Sequence, residues 1–190
     1  MSLAVRASLV AVALVGAVAA PASASPQDLP RADAMPLVAQ STAVDGAGGL
    51  RIAANAAKGT EEILKADVGA AAAAANVCGS GYTVSVSAMR YGTYGTTYTW
   101  WNGTYSGSNT LYDRPICAVF FNDTGITRYM GVRLKDNYTA TADTEDFGAY
   151  SQYAGPVYQN KGYCGRAYSY MEDASGKVLV DNYLAVGSCN

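Results

Sequence analysis

The chain reads as an all-β protein: a small, disulfide-stapled antiparallel β-sandwich or barrel of about seven strands, preceded by a flexible Ala-rich arm. Three observations carry that expectation. All fifteen tyrosines, both tryptophans, all three phenylalanines and all four cysteines of the 190 residues lie after residue 75. In that region short β-branched and aromatic runs alternate with Gly- and Asn-containing turn signals, with no long helical period. The cysteines form an even set in a chain that opens like an exported one, which points to two disulfides.

Residues 1–24 read as a secretory signal peptide. Arg6 precedes an apolar run from Leu9 to Ala20, and Ala22-Ser23-Ala24 fits the small-x-small rule for cleavage. The run is short for a membrane span, which takes about 20 residues, so the mature chain is expected to be secreted, with no membrane partner. Residues 25–75 are rich in Ala, Gly and Pro and hold no aromatic residue and no cysteine. So little bulky apolar surface does not offset ordering entropy, and the segment reads as a low-complexity linker or pro-segment. Within it Thr60–Val68 reads as a short helix, with Thr60 as its cap and Glu61 and Glu62 at its positive end.

Residues 76–190 are the expected globular domain. Its strand candidates are Tyr82–Tyr91, Thr96–Trp101, Ile116–Asn122, Tyr129–Lys135, Phe147–Val157, Tyr163–Met171 and Lys177–Val186. Ile116–Asn122 is densely apolar and reads as buried on both faces. In Phe147–Val157 the alternation breaks at Gly155-Pro156, and a proline that donates no N–H to a ladder belongs on an edge strand or bulge.

Cys78, Cys117, Cys164 and Cys189 allow three connectivities. The pairing Cys78–Cys117 with Cys164–Cys189 is favoured because each bridge then closes one half of the domain. With no C-x-x-C pair and no histidine, neither a zinc site nor a dithiol redox site is indicated. The absence of histidine also removes Ser-His-Asp and Cys-His catalysis. The 76–190 region carries eight basic and nine acidic residues, so nothing in its net charge favours nucleic acid or an anionic membrane. No phosphate-binding loop appears, and no cofactor and no metal are expected.

Several segments carry a family resemblance. Cys78-Gly-Ser-Gly-Tyr82 is followed by Trp100-Trp101-Asn102-Gly103, by Cys117-Ala-Val, and by Asp146-Phe-Gly-Ala-Tyr-Ser-Gln-Tyr-Ala-Gly-Pro-Val-Tyr158. Then come Cys164 after a Lys-Gly turn and a cysteine beside the C-terminus. In that order they resemble the spore-associated protein A family of actinomycetes, over most of 76–190 and not over the arm. The resemblance implies a small exported protein found with spores or in the medium, with no established activity, so it transfers no catalytic residue. The chain departs from that pattern after Cys164, where Gly165-Arg-Ala-Tyr-Ser-Tyr170 stands in place of a Trp-Gly-Gly stretch.

Two features are candidates for function. The aromatic run containing Tyr98, Trp100, Trp101 and Tyr105 offers rings with polar tips, which suit a cell-wall or spore-surface polymer or a secreted protein partner. Adjacent tryptophans in a strand point to opposite faces, so one is expected in the core and the other exposed. The acidic residues Asp143, Glu145 and Asp146, with Glu172 and Asp173, are the type used by carboxylate glycan hydrolases or calcium sites, but turns also favour them. The expected function is therefore a secreted, non-enzymatic, surface-associated protein that binds polymers through exposed aromatics. A proteinase inhibitor presenting Asp113-Arg114-Pro115 beside Cys117, and a hydrolase using Glu145 and Glu172, are the alternatives.

Overall fold

The structure is a computed structural model that describes residues 41–44, 49–104 and 111–189. Strands β1 (Thr42–Ala43) and β2 (Arg51–Ile52) lead into helices α1 (Thr60–Ala66) and α2 (Val68–Cys78). Eight strands follow: β3 (Val84–Tyr91), β4 (Gly95–Trp101), β5 (Ile116–Asn122), β6 (Arg128–Lys135), β7 (Thr144–Tyr150), β8 (Tyr153–Gln159), β9 (Arg166–Glu172) and β10 (Val178–Ala185). They form two open sheets. One has six strands in the order β1-β2-β3-β4-β5-β8, the other four in the order β10-β9-β6-β7. Every pairing is antiparallel except β2 with β3. The all-β expectation holds, and the architecture is a sandwich.

Period-two alternation builds the core between the sheets. Val84, Val86, Trp101, Ile116, Ala118 and Phe120 of the larger sheet meet Met130, Val132, Leu134, Ala167, Met171, Val180 and Leu184 of the smaller. Polar links also cross this layer, among them the Thr97 and Ser169 hydroxyls, 2.5 Å apart and both fully buried. A buried hydroxyl pair of this kind satisfies both groups and so avoids the penalty of leaving either unpaired.

The other face of the larger sheet is covered too, and here the structure corrects the expected linker. The boundary at residue 76 falls inside α2, and residues 49–75 pack on the sheet. On α2, Ala71, Ala74, Ala75 and Cys78 are buried, which is the i, i+3, i+4, i+7 stripe of one helix face. Their small side chains let the helix lie close to β4 and β5, over Tyr98, Trp100 and Val119. Leu64 of α1 is fully buried in the same layer. Alanine's high helix propensity forms α2, and packing on a large aromatic surface supplies the burial that the segment lacks alone. Thr60 is not the cap: Gly59 is, at φ +84°, while the Thr60 hydroxyl donates to the Ala57 carbonyl and accepts the Ala88 amide of β3. Asp67 caps α2 by accepting the Ala70 amide at 2.8 Å.

Both favoured disulfides are present, Cys78–Cys117 and Cys164–Cys189. The first ties the last residue of α2 to β5, the second ties the turn before β9 to the C-terminal segment.

The stretch expected as one strand over Phe147–Val157 is two. β7 is an edge of the smaller sheet and β8 an edge of the larger, so the chain changes sheets at Ser151-Gln152. Asp146 pins the corner, its carboxylate accepting the Tyr150 hydroxyl at 2.5 Å and the Gly155 amide at 2.7 Å. Pro156 does sit on an edge strand, beside a register shift between Ala118 and Phe120, and follows a cis peptide bond. Gly155 is at φ +99°, and a Cβ there would lie 2.9 Å from the Ala118 carbonyl oxygen. Only glycine suits both constraints.

Two outcomes are expected from this packing. Replacing Cys78 and Cys117 by alanine, which opens a separation of 39 residues, lowers unfolding free energy by about 4 kcal/mol in denaturant titrations on the chain-entropy model. Cutting the chain to 76–190 uncovers Trp100, and its emission shifts to the red; unchanged emission and stability would mean that the helices contribute nothing to the core.

Candidate functional site

Among the described residues, the smaller sheet is covered on one face only. Its inward positions are the apolar residues of the sandwich core, so alternation places every second residue of β6, β7, β9 and β10 on an outer face. The registers then fix a lattice. Tyr183, Tyr168, Arg133 and Glu145 stand opposite one another across the four strands. One pleat along come Asp181, Tyr170, Gly131 and Phe147, then Glu172 opposite Tyr129. In the other direction Arg166 stands opposite Lys135.

These side chains hold one another in place. Tyr168 is the hub, with its ring 4.8 Å from Tyr183, 6.4 Å from Tyr170 and 6.5 Å from Phe147. The Arg133 guanidinium lies 5.6 Å from the ring centres of both Phe147 and Tyr168, and its Nε donates to Glu145 at 2.6 Å. The Tyr168 hydroxyl donates to Asp181 at 2.9 Å, and the Tyr170 hydroxyl donates to Glu172. Gly131 has a specific role. A Cβ there would fall 2.2 Å from a ring carbon of Phe147, so its absence lets that ring lie flat over β6. The outcome is a shallow aromatic platform with a guanidinium and two carboxylates among the rings, and with Tyr129 and Tyr183 about half exposed.

Proton affinities follow the same contacts. Burial, then donation to Asp181, pushes the Tyr168 phenol up to about 12. Donation to Glu172, then burial, pushes Tyr170 up to about 12. The bond to Glu145 raises Arg133, which stays charged.

The residues expected to form a contact face are elsewhere. Trp100 and Trp101 do point to opposite faces of β4, but both are 0 % exposed, and Tyr98 is 1 % exposed. Trp101 lies in the core between the sheets, its Nε1–H donating to the Thr104 carbonyl at 2.8 Å, and Trp100 lies under the helices. A ring with no exposed surface offers nothing to a polymer, so these three are structural. Tyr105 lies outside the described residues.

The alternatives also move. Asp113 and Arg114 are 5 % and 2 % exposed, with the Arg114 guanidinium against the rings of Trp101 and Tyr163. They do not form the exposed loop an inhibitor needs. Glu145 and Glu172 share the platform, but two strands sideways and four residues along separate them, roughly 16 Å on strand geometry. Glycosidase carboxylate pairs work at about 5 to 9.5 Å. Among the described residues no group of three His, Cys, Asp or Glu side chains is placed to hold a metal ion. Sequence reading missed Tyr129, Phe147, Tyr168, Tyr170 and Tyr183; the available signal was the alternation of rings with small or apolar residues along β9, Ala167-Tyr-Ser-Tyr-Met171.

Because the Tyr168 and Tyr170 phenols bind their protons more tightly in the folded state than at the ordinary value of 10.0, their contribution to stability is complete below pH 10 and is lost as pH rises towards 12. The denaturation midpoint is expected to fall over that window, less steeply in Tyr170→Phe, with tyrosinate absorbance of these two rings delayed beyond that of exposed tyrosines. Equal midpoints at both ends of the window would contradict the hydrogen-bonded platform.

Comparison with known proteins agrees with the motif reading. The chain is 40 % identical over 93 residues to Spore-associated protein A of Streptomyces coelicolor, which takes in 49 % of this chain and 54 % of that protein. It thus spans about half the length of the curated relative it matches. No family model and no solved structure matches. The likeness to spore-associated protein A, first seen in the cysteine and tyrosine motifs, holds as sequence identity over about half of the chain.

Proposed function

We propose that this chain is a secreted, non-catalytic protein of the cell or spore surface, and that the outer face of the four-stranded sheet holds sugar rings of a surface polymer. The observation that carries this reading is the continuous row Phe147–Tyr168–Tyr183, laid flat at Gly131 and bordered by Arg133, Asp181 and Glu172. A sugar ring has an apolar C–H face and a rim of hydroxyls. Tyrosine and phenylalanine rings take the first, and carboxylates and a guanidinium take the second. An open platform on a rigid sheet suits an extended chain better than a small molecule, which binding sites enclose. The name of the Streptomyces relative supports a place on spores, and the leader-like N-terminus supports export. Among the described residues no helix is long and apolar enough to cross a membrane. The wide spacing of Glu145 and Glu172 supports binding without hydrolysis.

The test is co-sedimentation of the full chain with washed spores, vegetative cell walls, chitin and cellulose, with released sugar assayed in the supernatant. Saturable binding without release is expected. Tyr168→Ala weakens it by about tenfold or more, the loss typical of a central aromatic anchor. Gly131→Ala weakens it as well, by lifting the Phe147 ring, whereas Tyr94→Ala, an exposed tyrosine on the β3–β4 hairpin, leaves it unchanged. Sugar release would overturn the non-catalytic reading, and failure to bind any polymer would overturn the platform's role.

A further inference from the structure

We infer that the cleft at the basic end of this sheet face is an anion subsite, able to take a phosphate or carboxylate group. The register itself is the first indication. Lys135, the last residue of β6, stands directly opposite Arg166, the first residue of β9. Like charges directly opposite on an antiparallel pair repel, so the placement is unfavourable unless something answers it. Lys58, from the turn before α1, brings a third cation to the same cavity, which measures about 680 Å³.

The charges present answer this cluster only in part. Lys135 Nζ is 3.1 Å from an Asp143 oxygen. The Arg166 guanidinium sits 5.4 Å from the centre of the Tyr183 ring, which leaves its charge unneutralised. Neither Arg166 nor Lys58 forms an ion pair among the described residues. Among the described residues Asp136 is the one carboxylate lining the cleft, and it already accepts the Tyr138 amide at 2.8 Å. Among the described residues, three cations therefore face two carboxylates, one of them outside the cleft.

The cleft is also held open in advance. The Cys164–Cys189 disulfide forms part of its wall. The Cys164 amide donates to the Val186 carbonyl at 2.9 Å, and the Val186 amide to the Gly165 carbonyl at 3.0 Å. A Cβ on Gly165 would fall 2.0 Å from the Lys135 carbonyl oxygen, so glycine is what lets these segments close up behind the two cations. A preformed wall lowers the ordering cost of binding. Lys and Arg donors reach an oxyanion by charge-assisted hydrogen bonds, with Arg suited to two at once.

The cleft adjoins the platform, since Arg166 is two residues from Tyr168 on the same face. A polymer that carries anionic groups between its sugars would engage both. Only that last step rests on the proposed sugar binding; the anion subsite stands on its own residues.

The test uses the full, isotopically labelled chain, titrated with inorganic phosphate or with acetate, and with sodium chloride at equal ionic strength as the control. Saturable amide shifts confined to Lys58, Lys135, Asp136, Gly165 and Arg166 are expected for at least one of the two anions. Preference for phosphate or for acetate identifies the group the subsite takes. Lys58→Gln and Arg166→Gln each weaken binding by about tenfold, the loss of one charge-assisted bond. Arg166→Lys, which keeps charge and fold, weakens it less. Tyr168→Ala leaves anion binding intact while lowering polymer binding, so the two sites fail separately. Shifts that match those in sodium chloride, or affinities indifferent to both glutamine variants, would overturn the subsite.

Discussion

The structure depends on covering a sheet that is apolar on both sides. β4 and β5 send Trp101, Ile116, Ala118 and Phe120 to one face and Tyr98, Trp100 and Val119 to the other. The smaller sheet covers the first face. The second is covered by α1 and α2, locked by the Cys78–Cys117 bridge onto the start of β5. Burying a tryptophan removes about 200 Å² from water, worth about 5 kcal/mol as an upper figure. Without its alanine face the helix could not come near enough to bury Trp100 completely. A larger side chain at Ala74, which is 0 % exposed, would have to displace either the helix or the ring.

The same arrangement explains what could be read from the sequence. Strand positions, the buried character of Ile116–Asn122, the opposite orientation of Trp100 and Trp101, the disulfide partners and the edge position of Pro156 all follow from local rules. Alternation and turn chemistry act over a few residues, and the cysteine pairing follows from halving the domain. Composition alone misjudges residues 49–75 of the arm, because it does not measure burial. Alanines bury little alone, yet Ala71, Ala74, Ala75 and Cys78 have the spacing of a helix face, and a surface of aromatic rings was waiting for it. That misreading carried over to the site. If nothing covers the outer face of β4, Trp100 and Tyr98 become the natural contact residues; once α2 lies there, they cannot be. The break of Phe147–Val157 into two strands is hidden for another reason: the corner is made by Asp146 reaching the Gly155 amide, a contact between two sheets.

The smaller sheet has the complementary character. Its outer residues are aromatic and charged in a regular array, and they satisfy one another without being buried. The Tyr168 and Tyr170 hydroxyls are anchored on Asp181 and Glu172, and Arg133 is held by Glu145 beneath two ring faces. Rings fixed in this way lose little freedom when a ligand settles on them, which is the advantage a preorganised surface has over a mobile one. Exposed aromatic side chains in a protein of ordinary solubility are usually scattered singly. Here five converge from four strands, and a glycine is placed where a side chain would spoil the plane.

Charge gives that plane a direction. Lys135 and Arg166 lie at one end of the lattice, and Asp181 and Glu172 at the other, with the rings between. The whole chain has a formal net charge of only −2, so it has no strong field to steer a distant ligand. Exposed charges act over roughly 8 Å at physiological ionic strength, a distance shorter than the platform is long. Each end is therefore felt only by the part of a ligand lying directly on it. If the platform takes a polymer as proposed, one with hydroxyl groups alone would meet acceptors at the acidic end and stack in the middle, leaving the basic end unused. One with anionic substituents would be matched at the basic end and repelled at the acidic end, which would favour a single orientation. On the proposed reading, the array would discriminate by the position of charge along a polymer, while the aromatic rows between would supply contact that depends little on which sugar is present.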